Sequence, residues 1–162
     1  RWVEPRKHLI FTIAGTGKRG FSGEGDRKCT DSAFSNPTGL AIDKRGRLYI
    51  ADTDNQRIRR LTVESRMDSK VVTVVGSGER GYNGDGLDAW DTKLAYPGAL
   101  AITRYDMLFF VDTGNNLIRR VQGISTVEPP VKYTGYGQAD KQPDERNFLQ
   151  VLFGGKKKPE NP

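Results

Sequence analysis

An internal repeat is the feature of this sequence that most restricts how it can fold. Residues 12–61 return about sixty positions later as residues 73–121, and the two copies align with a single one-residue gap after a glycine-rich loop. The match includes Leu40-Ala41-Ile42 against Leu100-Ala101-Ile102. A period of this length corresponds to one supersecondary unit in repeat proteins. The sequence therefore predicts two copies of one small structural unit.

The positions that the copies share include four glycines and one small polar set. They are Gly15, Gly17, Gly20, Gly25, Asp52, Asn55 and Arg59 in the first copy, and Gly76, Gly78, Gly81, Gly86, Asp112, Asn115 and Arg119 in the second. A residue that recurs in every unit of a repeat usually serves the unit itself. We predict that these residues are structural.

Each copy is predicted to form four short strands separated by turn residues such as Lys44-Arg45-Gly46. In the first copy these strands are Leu40–Asp43, Leu48–Ala51, Ile58–Val63 and Lys70–Val75. The strand at 108–111 is apolar at successive positions, which indicates a sheet that is covered on both faces. Four-stranded sheets stacked face to face in a series describe a β-propeller.

A known family carries the same motifs as residues 14–60. Ala-Gly-Thr-Gly (14–17), Asn-Pro-Thr-Gly-Leu-Ala-Ile-Asp (36–43) and Asp-Thr-Asp-Asn-Gln-Arg-Ile-Arg-Arg (52–60) closely resemble the NHL repeat. The second copy has Ala99 and Asp106 where the family usually has glycine, so we expect altered turns there. A third repeat begins at 133–137, and the resemblance extends over roughly residues 8–137.

The predicted fold class is all-β, an incomplete β-propeller of four-stranded antiparallel blades. It has about two blades plus an extra outer strand at Leu9–Ile13. The predicted organisation is a charged N-terminal arm (1–8), NHL-like propeller blades (9–137) and a C-terminal extension (138–162) with a short helix at 144–153 and a basic tail. The resemblance implies rings of about six blades. Two blades cannot close such a ring, so we expect a protein partner or further propeller blades to complete it.

Two glycine loops, Gly15–Gly20 and Gly76–Gly81, match the phosphate-binding pattern G-x-G-x-x-G. That chemistry requires the glycines to open a helix whose backbone amides face the phosphates. More glycine follows each loop and no helical periodicity is present. We predict loops with positive φ that link one blade to the next, and no dinucleotide site or other cofactor.

The segment Asp52–Gln56 begins like a calcium-binding loop, with possible oxygen ligands at alternate positions. The sixth position is Arg57 rather than the glycine that the loop requires, and no glutamate follows at the twelfth. We predict a tight turn held by hydrogen bonds from Asp52 and Asn55. Across that turn Asp52 faces Arg57 and is diagonal to Arg59, which predicts an ion pair.

The composition adds a mild basic bias, with 26 basic and 20 acidic side chains and a net charge of +6. A basic surface serves RNA, an anionic membrane or an acidic protein equally well. The candidate ligand-contacting residues are Arg57, Arg60, Arg120, Lys44 and Arg45. The resemblance leaves RNA recognition open, since some NHL domains bind RNA through a basic face.

His8 is the only histidine, and it restricts the chemistry available to this chain. Metal sites built on imidazole and catalytic pairs that use a histidine base need more than one such residue or a suitable partner. The lone Cys29, the missing Asn-x-Ser/Thr glycosylation motif and the lack of an apolar run long enough to span a bilayer favour an intracellular location.

We interpret the sequence as a non-catalytic binding scaffold, an NHL-type propeller segment that mediates protein–protein contacts as a subunit or fragment of a larger assembly. The first alternative is an RNA-binding propeller that uses an arginine face. The second, less favoured, is a fragment of a propeller lyase or hydrolase, which would need metal ligands around a closed central channel.

Overall fold

The computed structural model describes residues 10–25, 28–63 and 69–127. The N-terminal arm, His8, the third repeat at 133–137 and the C-terminal helix and tail lie outside these residues. The predictions about them, and the boundaries of the arm and the extension, therefore stay predictions.

The first repeat forms one antiparallel sheet, blade one. Its strands are β1 (Pro37–Ile42), β2 (Leu48–Asp52), β3 (Arg57–Val63) and β4 (Ser69–Val75), in spatial order β1-β2-β3-β4. Each strand pairs with the next along the chain, as expected when short turns connect antiparallel neighbours. The prediction of four strands in this copy is confirmed.

The second repeat forms a three-stranded sheet, blade two, from β5 (Pro97–Ile102), β6 (Met107–Asp112) and β7 (Leu117–Gln122). Short 3-10 turns connect or flank the strands at Cys29–Asp31, Thr53–Asn55, Thr113–Asn115 and Ile124–Thr126. The described residues therefore form an all-β structure of two propeller blades, which confirms the predicted all-β class. The fourth strand predicted for the second copy lies outside the described residues.

The two blades pack through unlike faces, because side chains alternate along each strand. The forward face of blade one carries Tyr49, Ile58 and Arg60, and the same positions in blade two are Phe109, Ile118 and Arg120. The rear face of blade two carries Leu100, Ile102, Leu108 and Phe110, and the same positions in blade one are Leu40, Ile42, Leu48 and Ile50. The forward face of blade one covers the rear face of blade two and forms the main apolar core.

The prediction of an outer strand at Leu9–Ile13 is wrong for its described part, since residues 10–13 form no strand. These positions match residues 71–74 of β4, which pairs with β3 in its own blade. A strand requires a hydrogen-bonded neighbour. Residues 10–13 precede the first strand of blade one, and the described residues contain no earlier blade with which they could pair.

The expectation of an altered turn at Asp106 is also wrong. Asp106 adopts a positive φ of 64°, close to the 79° of Gly46 at the same place in blade one. Both turns contain the same pair of backbone hydrogen bonds. Asp106 tolerates the left-handed region because its carboxylate accepts hydrogen bonds from the Ser125 amide at 3.1 Å and from the Ser125 hydroxyl. Ala99 is an exposed residue of β5.

Candidate functional site

The shared polar residues lie where β2 turns into β3. Asp52 ends β2, a single 3-10 turn follows, and Gln56 adopts the left-handed conformation with φ of 55° before β3 begins. Asp52 pairs with Arg57 in the β2–β3 register, as predicted. The turn therefore places the Asp52 carboxylate beside the segment that precedes β1.

Asp52 is fully buried and is held by hydrogen bonds to its carboxylate. The Ser35 amide donates to Oδ1 at 2.7 Å, and Asn55 Nδ2 donates to Oδ2 at 2.9 Å. The same amide group of Asn55 also donates to the Gly20 carbonyl at 2.8 Å. The prediction that Asp52 and Asn55 form hydrogen bonds here is confirmed, although these bonds tie the turn to distant loops as well as bracing it locally.

Arg59 is the charged centre of blade one, and its side chain is 0% exposed. Its guanidinium donates to the carbonyls of Ala33 at 3.1 Å and Ser22 at 2.9 Å. It also forms ion pairs with Glu24 at 3.2 Å and with Asp52 at 3.6 Å. The predicted pairing of Arg59 with Asp52 is confirmed, and Arg59 connects β3 to three points on the glycine-rich loop and the segment after it.

Burial dominates the electrostatics of this pair. Loss of hydration raises the pKa of Asp52, and the Ser35 amide, Asn55 and Arg59 offset only part of that effect. Burial likewise lowers the pKa of Arg59, against the attraction of Glu24 and Asp52. Both directions agree with the general finding that the desolvation of a buried ion pair outweighs much of its attraction. The pair therefore fixes geometry, and the removal of one partner leaves an uncompensated charge.

Blade two repeats the same arrangement. The Ala95 amide donates to Asp112 at 2.7 Å, and Asn115 donates to Asp112 and to the Gly81 carbonyl, both at 2.8 Å. Arg119 contacts Asp112 at 3.4 Å and Asp85 at 3.0 Å. Asp85 is largely exposed, whereas its counterpart Glu24 is mostly buried, so the Arg119 network is more open to solvent. The repeated polar set therefore lies mostly inside each blade, although Arg119 also borders the cleft beside Ile118.

The glycine loops contain the positive φ values that the sequence predicts, with one exception. Gly15, Gly17, Gly76, Gly78, Gly81, Gly25 and Gly86 all have φ between 73° and 146°. Gly20 does not have a positive φ, and a Cβ there would meet only Ala33 Cβ at an ordinary 3.5 Å. Gly76 is constrained in two ways, because its φ is 99° and a Cβ would overlap the Gln56 carbonyl oxygen of the adjacent turn. Close approach of the backbone explains its identity.

The candidate basic residues do not gather on one face. Arg57 donates to the Ser77 carbonyl at 2.8 Å and stacks on Phe21 at 4.2 Å. Arg60 is buried between the blades and donates to the Val127 carbonyl at 2.9 Å. The other candidates, Lys44, Arg45 and Arg120, are exposed at the β1–β2 turn and on β7. Two of the five residues therefore act in the joint between blades.

One polar cluster was missed by the sequence reasoning. Asp43 accepts hydrogen bonds from the Arg45 amide at 2.8 Å and from the Arg47 guanidinium at 2.7 Å, and it lies 3.3 Å from the Tyr49 hydroxyl. Arg47 also donates to the Ser125 carbonyl at 2.9 Å, so the cluster connects blade one to blade two. Burial raises the pKa of Asp43, but the hydrogen bonds from Arg47 and Arg45 outweigh it and hold that pKa below its usual value. An aspartate before a Lys-Arg-Gly turn was the available signal.

The sequence reasoning also did not identify which apolar side chains stay exposed. On the rear face of blade one, Leu40 is 62% and Ile42 is 61% exposed, beside a cleft of about 390 Å³ that includes Leu48 and Ile50. On the forward face of blade two, Ile118 is 72% exposed, and it borders a cleft of about 760 Å³. Exposed apolar areas that are bordered by polar residues mark interaction surfaces.

Within 10–25, 28–63 and 69–127, no three His, Cys, Asp or Glu side chains are grouped closely enough to hold a metal ion. No helix in the described part of the chain has the length and apolarity needed to cross a membrane.

The comparisons with known proteins agree with the repeat. The family model described as "NHL repeat" matches residues 34–61, which include β1, β2 and most of β3. Protein SUPPRESSOR OF QUENCHING 1, chloroplastic, from Arabidopsis thaliana is 40% identical over 72 residues, which are 44% of this chain and 6% of that protein.

Two further relatives show the same kind of partial match. NHL repeat-containing protein 2 from Gallus gallus is 39% identical over 66 residues, 40% of this chain and 9% of that protein. Teneurin-m from Drosophila melanogaster is 38% identical over 79 residues, 43% of this chain and 3% of that protein. The match therefore spans less than a tenth of the length of each of these three relatives.

Proposed function

Because this chain belongs to the NHL-repeat family, we propose that it is a non-catalytic scaffold that binds other proteins through the open faces of its blades. Its role is contact within a larger assembly. The observation that supports this most directly is the exposure of apolar side chains at both ends of the two-blade stack, at Leu40 and Ile42 on one side and Ile118 on the other.

The hydrogen bonds of the repeated polar residues support a non-catalytic role. Catalytic groups need a reacting position within hydrogen-bond reach of a substrate. In blade one, hydrogen bonds to the loops of the same blade engage Asp52, Asn55 and Arg59. In blade two they engage Asp112 and Asn115. These residues hold the blade in register and leave no oriented group for a substrate.

A site-specific photocrosslinking experiment tests the proposal. A photoreactive phenylalanine derivative replaces residue 40 on the rear face of blade one, and a matched control carries it at residue 45 on the β1–β2 turn. We expect crosslinks to protein from position 40 that resist ribonuclease and are absent at position 45. A crosslink pattern that is equal at both positions would contradict a specific protein-binding face.

RNA binding is the competing outcome of the same experiment. Ribonuclease-sensitive crosslinks from position 45, together with RNA affinity that falls as salt rises, would favour a basic face that includes Lys44 and Arg45. Each phosphate contact contributes a slope of about 0.7 in log affinity against log salt for a single strand. Neutralising Arg120 would reduce that slope only if Arg120 meets a phosphate.

A further inference from the structure

The joint between the two blades is made of two faces that differ in their side chains. The forward face of blade one contributes Tyr49 and Ile58, which are both 0% exposed. The rear face of blade two contributes Leu108 and Phe110, which are buried in the same apolar cluster. Burial of this area removes apolar surface from water and is the main stabilising effect at the joint.

The repeat places the same two faces at opposite ends of the described residues, and each has exposed apolar side chains there. Ile118 is the counterpart of Ile58, yet it is 72% exposed where Ile58 is 0% exposed. Leu40 and Ile42 are 62% and 61% exposed, although the residues in their places on blade two pack against the core. Within the described residues, exposed apolar side chains therefore lie on the forward face of blade two at one end and on the rear face of blade one at the other.

The groups that form two hydrogen bonds across the internal joint have counterparts at the two ends of the stack. Thr53 Oγ1 donates to the Pro97 carbonyl at 2.8 Å, and the Tyr96 amide donates to Gln56 Oε1 at 2.7 Å. The counterparts of Thr53 and Gln56 on blade two, and of Tyr96 and Pro97 on blade one, are all exposed polar or backbone groups: Thr113, Asn116, Asn36 and Pro37. The ends thus match in hydrogen bonding as well as in apolar surface.

We propose that the forward face of blade two binds the rear face of blade one in a second copy of this chain, head to tail, with the geometry of the internal joint. The inference rests on the proposed function and names the occupant of its binding face. A second copy is the occupant because one chain carries both complementary faces and already uses this joint between its own blades. Head-to-tail association of unlike faces continues to a closed ring or an open filament.

The joint between copies is predicted to be more apolar than the joint within a copy. Arg47 and Arg57 each donate to a carbonyl across the internal joint, at 2.9 Å and 2.8 Å. Their counterparts on blade two are Met107 and Leu117. The association is therefore expected to hold or strengthen as salt rises, whereas binding to an anionic partner would weaken.

Analytical ultracentrifugation of the full chain tests the proposal with one variant on each face. Leu40→Arg places a charge on the rear face of blade one, and Ile118→Arg places one on the forward face of blade two. We expect the parent chain to associate in a concentration-dependent manner, and each variant to lose affinity for itself by about 100-fold or more. Tyr105→Arg, an exposed aromatic at the β5–β6 turn, is the matched control and should associate like the parent.

A mixture of the two variants distinguishes head-to-tail association from other kinds. Ile118 is intact in the Leu40→Arg chain, and Leu40 is intact in the Ile118→Arg chain, so the mixture has one competent joint and should form a 1:1 dimer of parental affinity. Circular dichroism checks whether both variants keep the parent sheet spectrum. If Leu40→Arg unfolds, Ile42→Arg takes its place. A monomeric parent at all concentrations, or a mixture that stays monomeric, would overturn the proposal.

The result is separable from the proposed function. If photocrosslinks from position 40 join this chain to a different protein while the parent chain sediments as a monomer, the scaffold role stands and self-association fails. If no protein crosslinks at position 40 and the parent chain is monomeric, both fail.

Discussion

Substitution of Arg59 by methionine separates a bracing role from a ligand-binding role. Methionine keeps an unbranched apolar side chain about as long as the aliphatic part of arginine but removes the guanidinium. The change abolishes the hydrogen bonds to the Ala33 and Ser22 carbonyls and both ion pairs, those with Glu24 and Asp52. It leaves the fully buried carboxylate of Asp52 without its cation.

The expected loss in the free energy of unfolding is about 3 kcal/mol or more, since breaking one partner of a buried ion pair costs roughly 3–5 kcal/mol. Two features reduce that cost. Burial already raises the pKa of Asp52, so proton uptake at this carboxylate relieves part of the uncompensated charge. The rings of Phe21 and Phe34 lie 5.0 Å and 5.1 Å from the guanidinium carbon and would contact the methionine sulfur instead.

Urea unfolding measures this effect from the transition midpoint at constant slope. Arg45→Met is the control, because Arg45 is exposed at the β1–β2 turn and should change stability by less than about 0.5 kcal/mol. Arg119→Met should fall between the two, since Arg119 pairs with the exposed Asp85. RNA retention should be equal in all three variants. An Arg59→Met transition that overlays that of Arg45→Met, together with lost RNA binding, would refute the bracing role.

Three further outcomes follow from single contacts. Gly76→Ala should lower the free energy of unfolding by about 2 kcal/mol in calorimetry, because its φ of 99° and the Gln56 carbonyl both oppose a Cβ. Gly20→Ala should be nearly neutral, and equal losses for the two variants would contradict this. The pKa of Asp43 is lowered in the folded state, so this carboxylate stabilises the fold above pH 3.8, its usual pKa, and the contribution is lost as the pH falls through the lower folded-state pKa. Asp43→Asn should therefore reduce stability at neutral pH and weaken the loss of stability in acid, and an unchanged acid dependence would count against it. Asp106→Ala should cost about 1–2 kcal/mol in thermal unfolding, since it keeps a φ of 64° while losing the bonds to Ser125, and Asp106→Gly should recover part of that loss.

The sequence predicted the local structure of blade one well, because local chemistry specifies it. Leu48–Asp52 and Arg57–Val63 follow from apolar runs that are broken by turn residues, and the recurrence of Asp52 and Arg59 indicated an ion pair that the structure contains. Gly20 was wrongly grouped with the strained glycines. A glycine's φ depends on the path of the chain around it, and the repeat marks only where glycine recurs.

The sequence by itself determined that one unit recurs, the four strands of blade one and the residues that brace each blade, since these depend on neighbours within one unit. The tertiary structure alone decided which of two equivalent residues is covered. Ile58 and Ile118 occupy the same place in their repeats, and only the position of each blade in the stack makes one buried and the other exposed. Burial is a property of the surface that packs against a residue, and an identical motif carries no information about what lies opposite it.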